Sequence, residues 1–448
     1  MAPTRTTAAG TEIAARLDRL PLGRWHARIV ALMGVGTFFN FFEVGLGSAL
    51  VTLLPDGWVT GTLDKSLVIS SAFAGELIGA LLLAPLSDRF GRRTMFQVNL
   101  LAYAGLALLS VFAPNLGVFV AVRVLLGVGL GAELVLVDTY LSELIPAARR
   151  GRMIAIAYVV GWLAPPVTML LATFLPHDAF GIGSWRCLLV FSALGAALIW
   201  VVRRRIPESP RWLATVGRTD EARAAVREIE RNSPPPAEAP APEPPAREEG
   251  PRPRMLRPPV LGRTALACVI WFCQTIGVHG FTSIAPLVLI HKGYDVVESL
   301  GYTALSAIGN PVGALLVVPL VERFQRKHLL VVSSVLVAAA GATFGLASSV
   351  WLIVAAGAAL NIANVVMGDV SHAYSAELFP TSIRTTAAGR TYSLSRLTSA
   401  VLPFVTLPLL YTVGAGALFA ACAALIMAMS VTVALRGPRT NARSLDTI

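Results

Sequence analysis

The chain has 448 residues, a net charge of +11 and a mean hydropathy of +0.67. It is 55% hydrophobic and only 14% Asp, Glu, Lys or Arg, against about 25% charged residues in soluble domains; this excludes a soluble globular fold and predicts an all-α polytopic membrane protein. The basic residues lie in short loops between apolar runs, which excludes a nucleic-acid face, and Cys187, Cys268, Cys273 and Cys422 lie inside apolar runs with no metal-ligand or disulfide spacing.

Residues 1–28 form an N-terminal segment before the first apolar run, 29–54. That run exceeds the about 7–15 residues of a signal-peptide core and reads as a retained span. Further runs follow at 65–87, 94–113, 116–141, 151–175 and 185–203, completing an N-terminal six-helix bundle over 29–203. Residues 204–262 are a linker: 219–231 (TDEARAAVREIER) predicts a short surface helix, and 233–259 is rich in Pro, Ala, Glu and Arg, a composition that buries too little apolar surface to order itself. Six more runs, 263–290, 297–321, 328–348, 350–376, 385–410 and 412–435, make a C-terminal bundle over 263–435, leaving a tail at 436–448. Each run is long enough to cross about 30 Å of hydrocarbon as helix. The basic residues gather in one set of short loops, which places those loops, the linker and both termini in the cytoplasm.

The halves repeat at a constant offset. LLLAPLSDRFGRR (81–93) aligns with LLVVPLVERFQRK (315–327), and DTYLSELIPAARR (138–150) with HAYSAELFPTSIR (372–384), both at the same displacement along the chain. Two six-helix bundles in parallel repeat, with a path between them, account for this.

Ionisable residues inside spans are functional candidates by default. Glu43 lies in the first span, Glu76 in the second, Arg123, Glu133 and Asp138 in the fourth, His279 in the seventh, Asp369 and His372 in the tenth, and Arg390 and Arg396 in the eleventh. The interiors of spans three, six, nine and twelve have none, so those four should face lipid. Arg396 lies about 17 Å into its helix, where a guanidinium costs about 2.5–3.5 kcal/mol on insertion scales. Tyr392, Arg396, Ser399 and Pro403 form one helical stripe. Two readings fit Arg396: a bidentate site for a substrate carboxylate, or a structural ion pair with Glu43, Glu76 or Asp369. Glu43 is the first candidate proton carrier, because desolvation near mid-span favours its protonated form; Glu76 and Asp369 stand behind it. Glu76 aligns with Asn310, so a polar residue faces the path in both halves. Asn361 and Asn364 in span ten, with Gln274 in span seven, are candidate hydrogen-bonding partners for substrate; packing by small and polar residues explains the span-ten stripe as well. His279 fits a packing role, and Asp138 a gate.

The loop acids Asp88, Glu143, Glu208, Glu322 and Glu377 sit beside Arg89, Arg150, Arg211, Arg323 and Arg384, with Arg92, Arg93 and Arg326 nearby. Exposed pairs worth about 0–1 kcal/mol each suit a latch between bundles that must open; the alternative is that these arginines only set topology.

These loops resemble the major facilitator superfamily. SDRFGRR (87–93) is similar to its signature loop between helices two and three, with Ala84 in place of the first glycine and Gln325 in place of glycine in the second copy. PESPRWL (207–213), SELIPAARRGR and AELFPTSIRTTAAG resemble the group of sugar porters and organic ion transporters, and RLDRLPLGRWHARIVAL (16–32) resembles the nicotinate and aromatic-acid type of metabolite:proton symporter. The resemblance implies twelve transmembrane helices in two pseudo-symmetric bundles. In organic ion carriers the residue seven before the Pro-Phe of helix eleven is associated with substrate charge; here it is Arg396, before Pro403-Phe404, which implies an organic anion. The symporter branch often carries an acidic pair in span one, where this chain has Asn40 and Glu43.

The expected function is therefore secondary transport by alternating access: proton-coupled symport of a small aromatic or heterocyclic carboxylate across the cytoplasmic membrane. A proton gradient would be the driving force, with no cofactor, in a monomer whose partners are solute, protons and lipid. The same frame fits a drug:proton antiporter or a sugar porter, although sugar sites use many amides and the chain offers few. A transport-dead sensor is the reading of another class. No Ser/His/Asp, metal or phosphate-cradle constellation supports an enzyme.

Overall fold

Inside a bilayer no water satisfies the backbone, so an apolar run closes its own N–H and C=O bonds as helix. The computed structural model describes residues 8–55, 57–83, 86–146, 149–175, 182–234, 255, 260–379 and 383–438, and no strand occurs among them. The Pro-rich linker expected at 233–259 falls almost wholly outside the described residues. The first six spans are Arg24–Leu53, Thr62–Leu82, Arg92–Val111, Leu116–Leu144, Arg150–Phe174 and Ser184–Arg203. The seventh is Leu261–Thr282 continued by Ala285–His291, the eighth Val296–Ala307 continued by Gly309–Arg323, the ninth Arg326–Leu346 and the tenth Val350–Glu377.

The last helix, Arg384–Arg436, has 53 residues, about 80 Å at 1.5 Å per residue, more than twice the thickness of a hydrocarbon core. It is two spans. Gly414 divides them with φ +82°, a left-handed conformation that glycine adopts without Cβ strain. The eleventh span is 384–413 and the twelfth 415–436.

Three spans break on their own prolines. A proline ring clashes with the carbonyl four residues back. Pro165, Pro286 and Pro311 accordingly follow helices that end at Gly161, Thr282 and Ala307. All three breaks border the space between the halves.

Each half packs within itself, and the halves meet mainly where span two touches eleven and span five touches eight. Hydrogen bonds across this seam run between spans two and eleven: Lys65 Nζ to Tyr411 Oη at 2.8 Å, and Ser66 Oγ to the Pro403 carbonyl at 3.0 Å. Both lie at the face opposite the signature loops, so the halves are closed there. The sixth, ninth and twelfth spans turn large apolar side chains outward, Leu198, Leu336 and Leu435 among them.

Spans two and four approach backbone to backbone. A Cβ at Gly75 or Gly79 would strike the carbonyls of Val124 or Val128, and one at Gly127 or Gly131 those of Ala72 or Glu76. These are two facing small-xxx-small pairs, the arrangement that lets membrane helices pack closely without a hydrophobic driving force. Gly309 and Gly313 repeat it in the other half, against Ala358 and Ile362 of span ten. They stand at the positions that correspond to Gly75 and Gly79 under the offset of the loops. The repeat read from the loops thus extends to the helix contacts.

Outside the membrane, Ala8–Asp18 and Thr219–Arg231 pack on each other and on Pro210–Thr215. Ile13, Leu17, Ala222, Val226 and Ile229 are buried between them, and Arg16 grips the Glu230 carboxylate at 2.9 and 2.6 Å. The linker helix follows from its sequence pattern; the helix inside the N-terminal segment does not.

Gly131→Ala tests the span two–four contact. Overpacking of this kind costs about 1–3 kcal/mol, so the thermal transition of the purified protein should fall by several degrees, whereas Gly105→Ala, whose Cβ would meet nothing, should leave it unchanged.

Candidate functional site

A cavity of about 220 Å³ lies between the halves, room for a solute of one or two rings rather than a peptide. Spans one, four, five, seven, eight, ten and eleven line it; span nine contributes only Phe344, and spans three, six and twelve contribute nothing.

The eleventh span places Arg396 on this wall. Its Nη1 donates to Oε2 of Glu76 at 2.6 Å and its Nη2 to Tyr392 Oη at 2.6 Å. The Glu76 side chain is 1% exposed and Arg396 14%, so the carboxylate is sealed in while the guanidinium keeps one side on the cavity. The pair bridges the two halves. Glu76 is set in place by the glycine contacts around it, and its second oxygen, Oε1, is buried without a hydrogen-bond partner among the described residues. Of the partners expected for Arg396, Glu76 is the one found.

Aromatic rings form the rest of the binding surface near Arg396. Trp271 stands edge-on to Tyr392 at 4.7 Å and to His372 at 4.5 Å between centroids. On the facing half, Phe41 packs on Trp162 at 4.7 Å and on Tyr158 at 6.1 Å. Sequence patterning does not single out Trp271, Trp162, Phe41 or Tyr158. A signal existed: Tyr158 and Tyr392 occupy equivalent positions of the repeat, so it sets a tyrosine on the cavity from both halves.

Gln274, Asn310, Asn361 and Asn364 all reach the cavity. The Asn361 amide N–H groups are spent on the carbonyls of Ser306 and Gly357, at 3.1 and 2.9 Å, and Asn310 donates to Ala307 at 3.0 Å. Asn361 therefore presents oxygen, while Asn310 keeps one N–H as well as its oxygen. Asn364, 2% exposed, has neither its amide nitrogen nor its oxygen matched. The chain is poor in amides, but the structure collects four on one wall. Asp369 and His279 also line the cavity. Asp138 stays behind the wall, accepting from Tyr158 Oη at 3.3 Å.

Glu43 does not face the cavity, which corrects its expected place on the path. It is fully buried inside the N-terminal half. Oε1 accepts from Arg123 Nη1 at 2.6 Å, and Oε2 accepts from Ser192 Oγ at 2.6 Å and Tyr103 Oη at 3.4 Å. A second buried pair joins Glu133 to Arg203. Arg203, fully buried at the end of span six, is hidden in the sequence because it closes an apolar run and reads as a loop residue.

The loop charges pair differently from their sequence neighbours. Arg92 is the hub: Nη2 donates to Glu143 at 2.9 Å and Nη1 lies 2.8 Å from Asp88, while Glu208 accepts the backbone N–H groups of Arg92 and Arg93 at 2.9 and 3.1 Å. Arg211 donates to the Glu143 carbonyl and to Asp18, each at 2.9 Å. In the other half Arg326 faces Glu377 at 3.1 Å. The expected pairing of Glu143 with Arg150 and of Glu208 with Arg211 is thus replaced, and these bonds run within a half rather than between halves. Arg89 and Arg323 are exposed; the side chains of Glu322 and Arg384 lie outside what the structure describes.

Comparison with known proteins agrees with this architecture. The profile of the sugar (and other) transporter family matches residues 38–448. The niacin transporter NiaP of Acinetobacter baylyi is 29% identical, over 98% of this chain and 99% of its own. The inner membrane metabolite transport protein YdjE of Escherichia coli is 26% identical, over 98% of each. Among solved structures, the E. coli xylose transporter XylE in a partially occluded inward-open conformation superposes with a TM-score of 0.75 at 17% identity, over 94% of this chain and 99% of that one. The chain belongs to the sugar (and other) transporter family: it is a multi-pass membrane carrier of the major facilitator fold, a secondary transporter of a small molecule and not an enzyme.

Proposed function

We propose that this carrier is a proton-coupled symporter of a small aromatic or heterocyclic carboxylate in the cytoplasmic membrane, with both termini cytoplasmic. One observation carries the reading: a guanidinium on the cavity wall, bonded to Tyr392 of the Trp271–Tyr392–His372 ring cluster, whose ionic partner Glu76 comes from the opposite half. A substrate carboxylate competes with Glu76 for the same fork of donors. When it wins, the tie between the halves at mid-membrane is exchanged for a tie through the solute. That exchange links occupancy to the relative position of the halves, which alternating access requires. The niacin carrier among the relatives is named for a substrate of this chemistry.

The proton role stays with Glu43. Protonating it removes the charge that holds Arg123, and the buried N-terminal core must then rearrange; Glu76 instead keeps Arg396 neutralised until solute arrives. The loop networks around Arg92 and Arg326 are the latch. They are satisfied within each half while the opposite face is closed, and they are free to trade partners across the halves when the path reverses.

A sugar is the second reading, because four amides share the wall with Trp271. A neutral sugar leaves Arg396 without an anion to exchange for Glu76.

Binding and uptake of radiolabelled nicotinate, benzoate and xylose by the protein in proteoliposomes separate these readings. The carboxylates should accumulate when the outside is acid, and xylose should not. Arg396→Ala should weaken carboxylate binding about 10–100-fold, from loss of charged hydrogen bonds worth about 1.5–3 kcal/mol, and Arg396→Lys should fall between. Accumulation of xylose with indifference to the carboxylates would reject the anion reading.

The two carboxylates give opposite outcomes. Glu43→Gln should abolish accumulation under a pH gradient while solute exchange at equal pH continues. Glu76→Gln removes a competitor, so it should tighten carboxylate binding and keep gradient-driven accumulation. The reverse pattern would move the proton site to Glu76.

A further inference from the structure

The N-terminal half contains a small polar void apart from the substrate cavity. Its volume is about 10 Å³, enough for one water. Asn40, Asn99, Tyr103 and Glu133 line it with Gly36, Leu100, Gly129 and Leu130. Glycine at position 36 makes room for the pair beside it: a Cβ there would run into the Arg203 guanidinium and the Glu133 carboxylate. Around it, Asn40 Oδ1, both amide atoms of Asn99 and Glu133 Oε2 are buried with no partner among the described residues. Buried polar atoms are nearly always satisfied, and unmet atoms at one void are what a water needs: Asn99 Nδ2 as donor, Glu133 Oε2 and Asn40 Oδ1 as acceptors. That is about three hydrogen bonds, the usual number for a buried water.

The void also interrupts a hydrogen-bonded chain. Ser192 Oγ donates to Glu43 Oε2 at 2.6 Å, and Tyr103 Oη stands 2.5 Å from Ser192 Oγ. With the Ser192 proton committed to Glu43, Tyr103 is the donor in its short contact with Ser192; the Phe39 carbonyl at 3.2 Å and Glu43 Oε2 at 3.4 Å are the longer alternatives for its single proton. Tyr103 and Glu133 both line the void, and Glu133 stands about 15 Å past Arg123 along span four, toward the signature-loop face.

We propose that one water in this void completes a proton wire from Glu133 to Glu43, separate from the substrate cavity. Resting on the proton role given to Glu43, the wire supplies that residue from the signature-loop side. Once protonated, Glu133 turns from acceptor to donor, which frees one water proton for Tyr103 Oη; Glu133 then gives its proton to the water as the water passes the freed one to Tyr103 Oη. The Tyr103 hydroxyl proton moves to Ser192 Oγ, and the Ser192 proton to Glu43 Oε2. Each O–H bond breaks as the next forms, and the net change is one proton moved from Glu133 to Glu43.

Infrared difference spectroscopy after a pH jump tests this on the full-length protein in lipid. Wild type should show a protonated-carboxyl band that Glu43→Gln removes. Asn99→Leu, which fills the void, and Tyr103→Phe, which cuts the wire but leaves the void, should each slow the rise of that band at least tenfold. Nicotinate binding at fixed pH should stay within twofold of wild type in both. If both variants keep the wild-type rate, the wire is refuted while Glu43 remains a proton site. If the wild type has no band sensitive to Glu43→Gln, the proton role of Glu43 and the wire fall together.

Discussion

The contact on which the arrangement turns is the ion pair between Arg396 and Glu76. Neither charge is tolerable alone. An uncompensated ion left buried by loss of its partner costs about 3–5 kcal/mol, and Arg396, 14% exposed, keeps one side on the cavity. The partners belong to different halves, so the electrostatics of the site are solved only when the halves are together in this register. Backbone packing fixes that register: the facing glycines of spans two and four hold Glu76 at its depth, and the Ser66–Pro403 and Lys65–Tyr411 bonds hold span two against span eleven closer to the sealed face. A solute that offers a carboxylate to Arg396 therefore intervenes at the one place where charge neutrality and the joint between the halves are the same contact.

The repeat shows how such a site arises from a symmetric frame. Tyr158 and Tyr392 are equivalent and both face the cavity, and Gly75 and Gly79 correspond to Gly309 and Gly313, which make the same close helix contact. The departures carry the charge. Trp162 stands where the second half has Arg396, Asn310 where the first has Glu76, and His372 where the first has Asp138. The buried pairs Glu43–Arg123 and Glu133–Arg203 have Gly277, Gly357, Met367 and Gly437 at the corresponding positions. The frame is thus two-fold and the chemistry one-sided: internal ion pairs in the first half, exposed guanidinium and amides in the second. On the proposed function this separates the proton from the solute and leaves the shared seam to report between them.

Sequence pattern is strongest where the bilayer imposes it. Twelve apolar runs had to be helices, and even the close join between the eleventh and twelfth is visible, though the turn lies at Gly414 rather than at 411. The stripe from Tyr392 to Ser399 is legible because periodicity along one helix fixes which residues share a face. What periodicity does not contain is which helix stands opposite. Glu43 and Arg123 are 80 positions apart and Glu76 and Arg396 are 320 apart, so the pattern puts Glu43 on the path and leaves the Glu76–Arg396 pair as one option of several. Trp271 and Trp162 escape notice because an indole in an apolar run looks like lipid-facing bulk until the cavity is seen beside it. The N-terminal helix is hidden by its composition: AAGTEIAARLD has few apolar anchors of its own, and it is ordered by the linker helix, a partner that follows all six spans of the first half.

The buried pairs raise a question of economy, since well-packed apolar residues of the same volume usually give equal or greater stability. Three such pairs in one carrier make sense where the bond must be broken on schedule. A hydrophobic contact has no state that a single proton or anion can reverse. An ion pair does: protonation of the acid or arrival of a competing anion cancels most of its attraction in one step, and the orphaned cation then drives the neighbouring helices to a new arrangement. The loop charges operate at the other end of the scale. Pairs at the water interface contribute about 0–1 kcal/mol each, so on the proposed latch an exchange between partners within a half and partners across the halves would change the balance of the two conformations little. On the proposed function, deep pairs that respond to ligands, set against shallow pairs that nearly cancel, give a carrier whose two faces are close in free energy when it is empty and are separated when solute occupies the seam or a proton sits on Glu43.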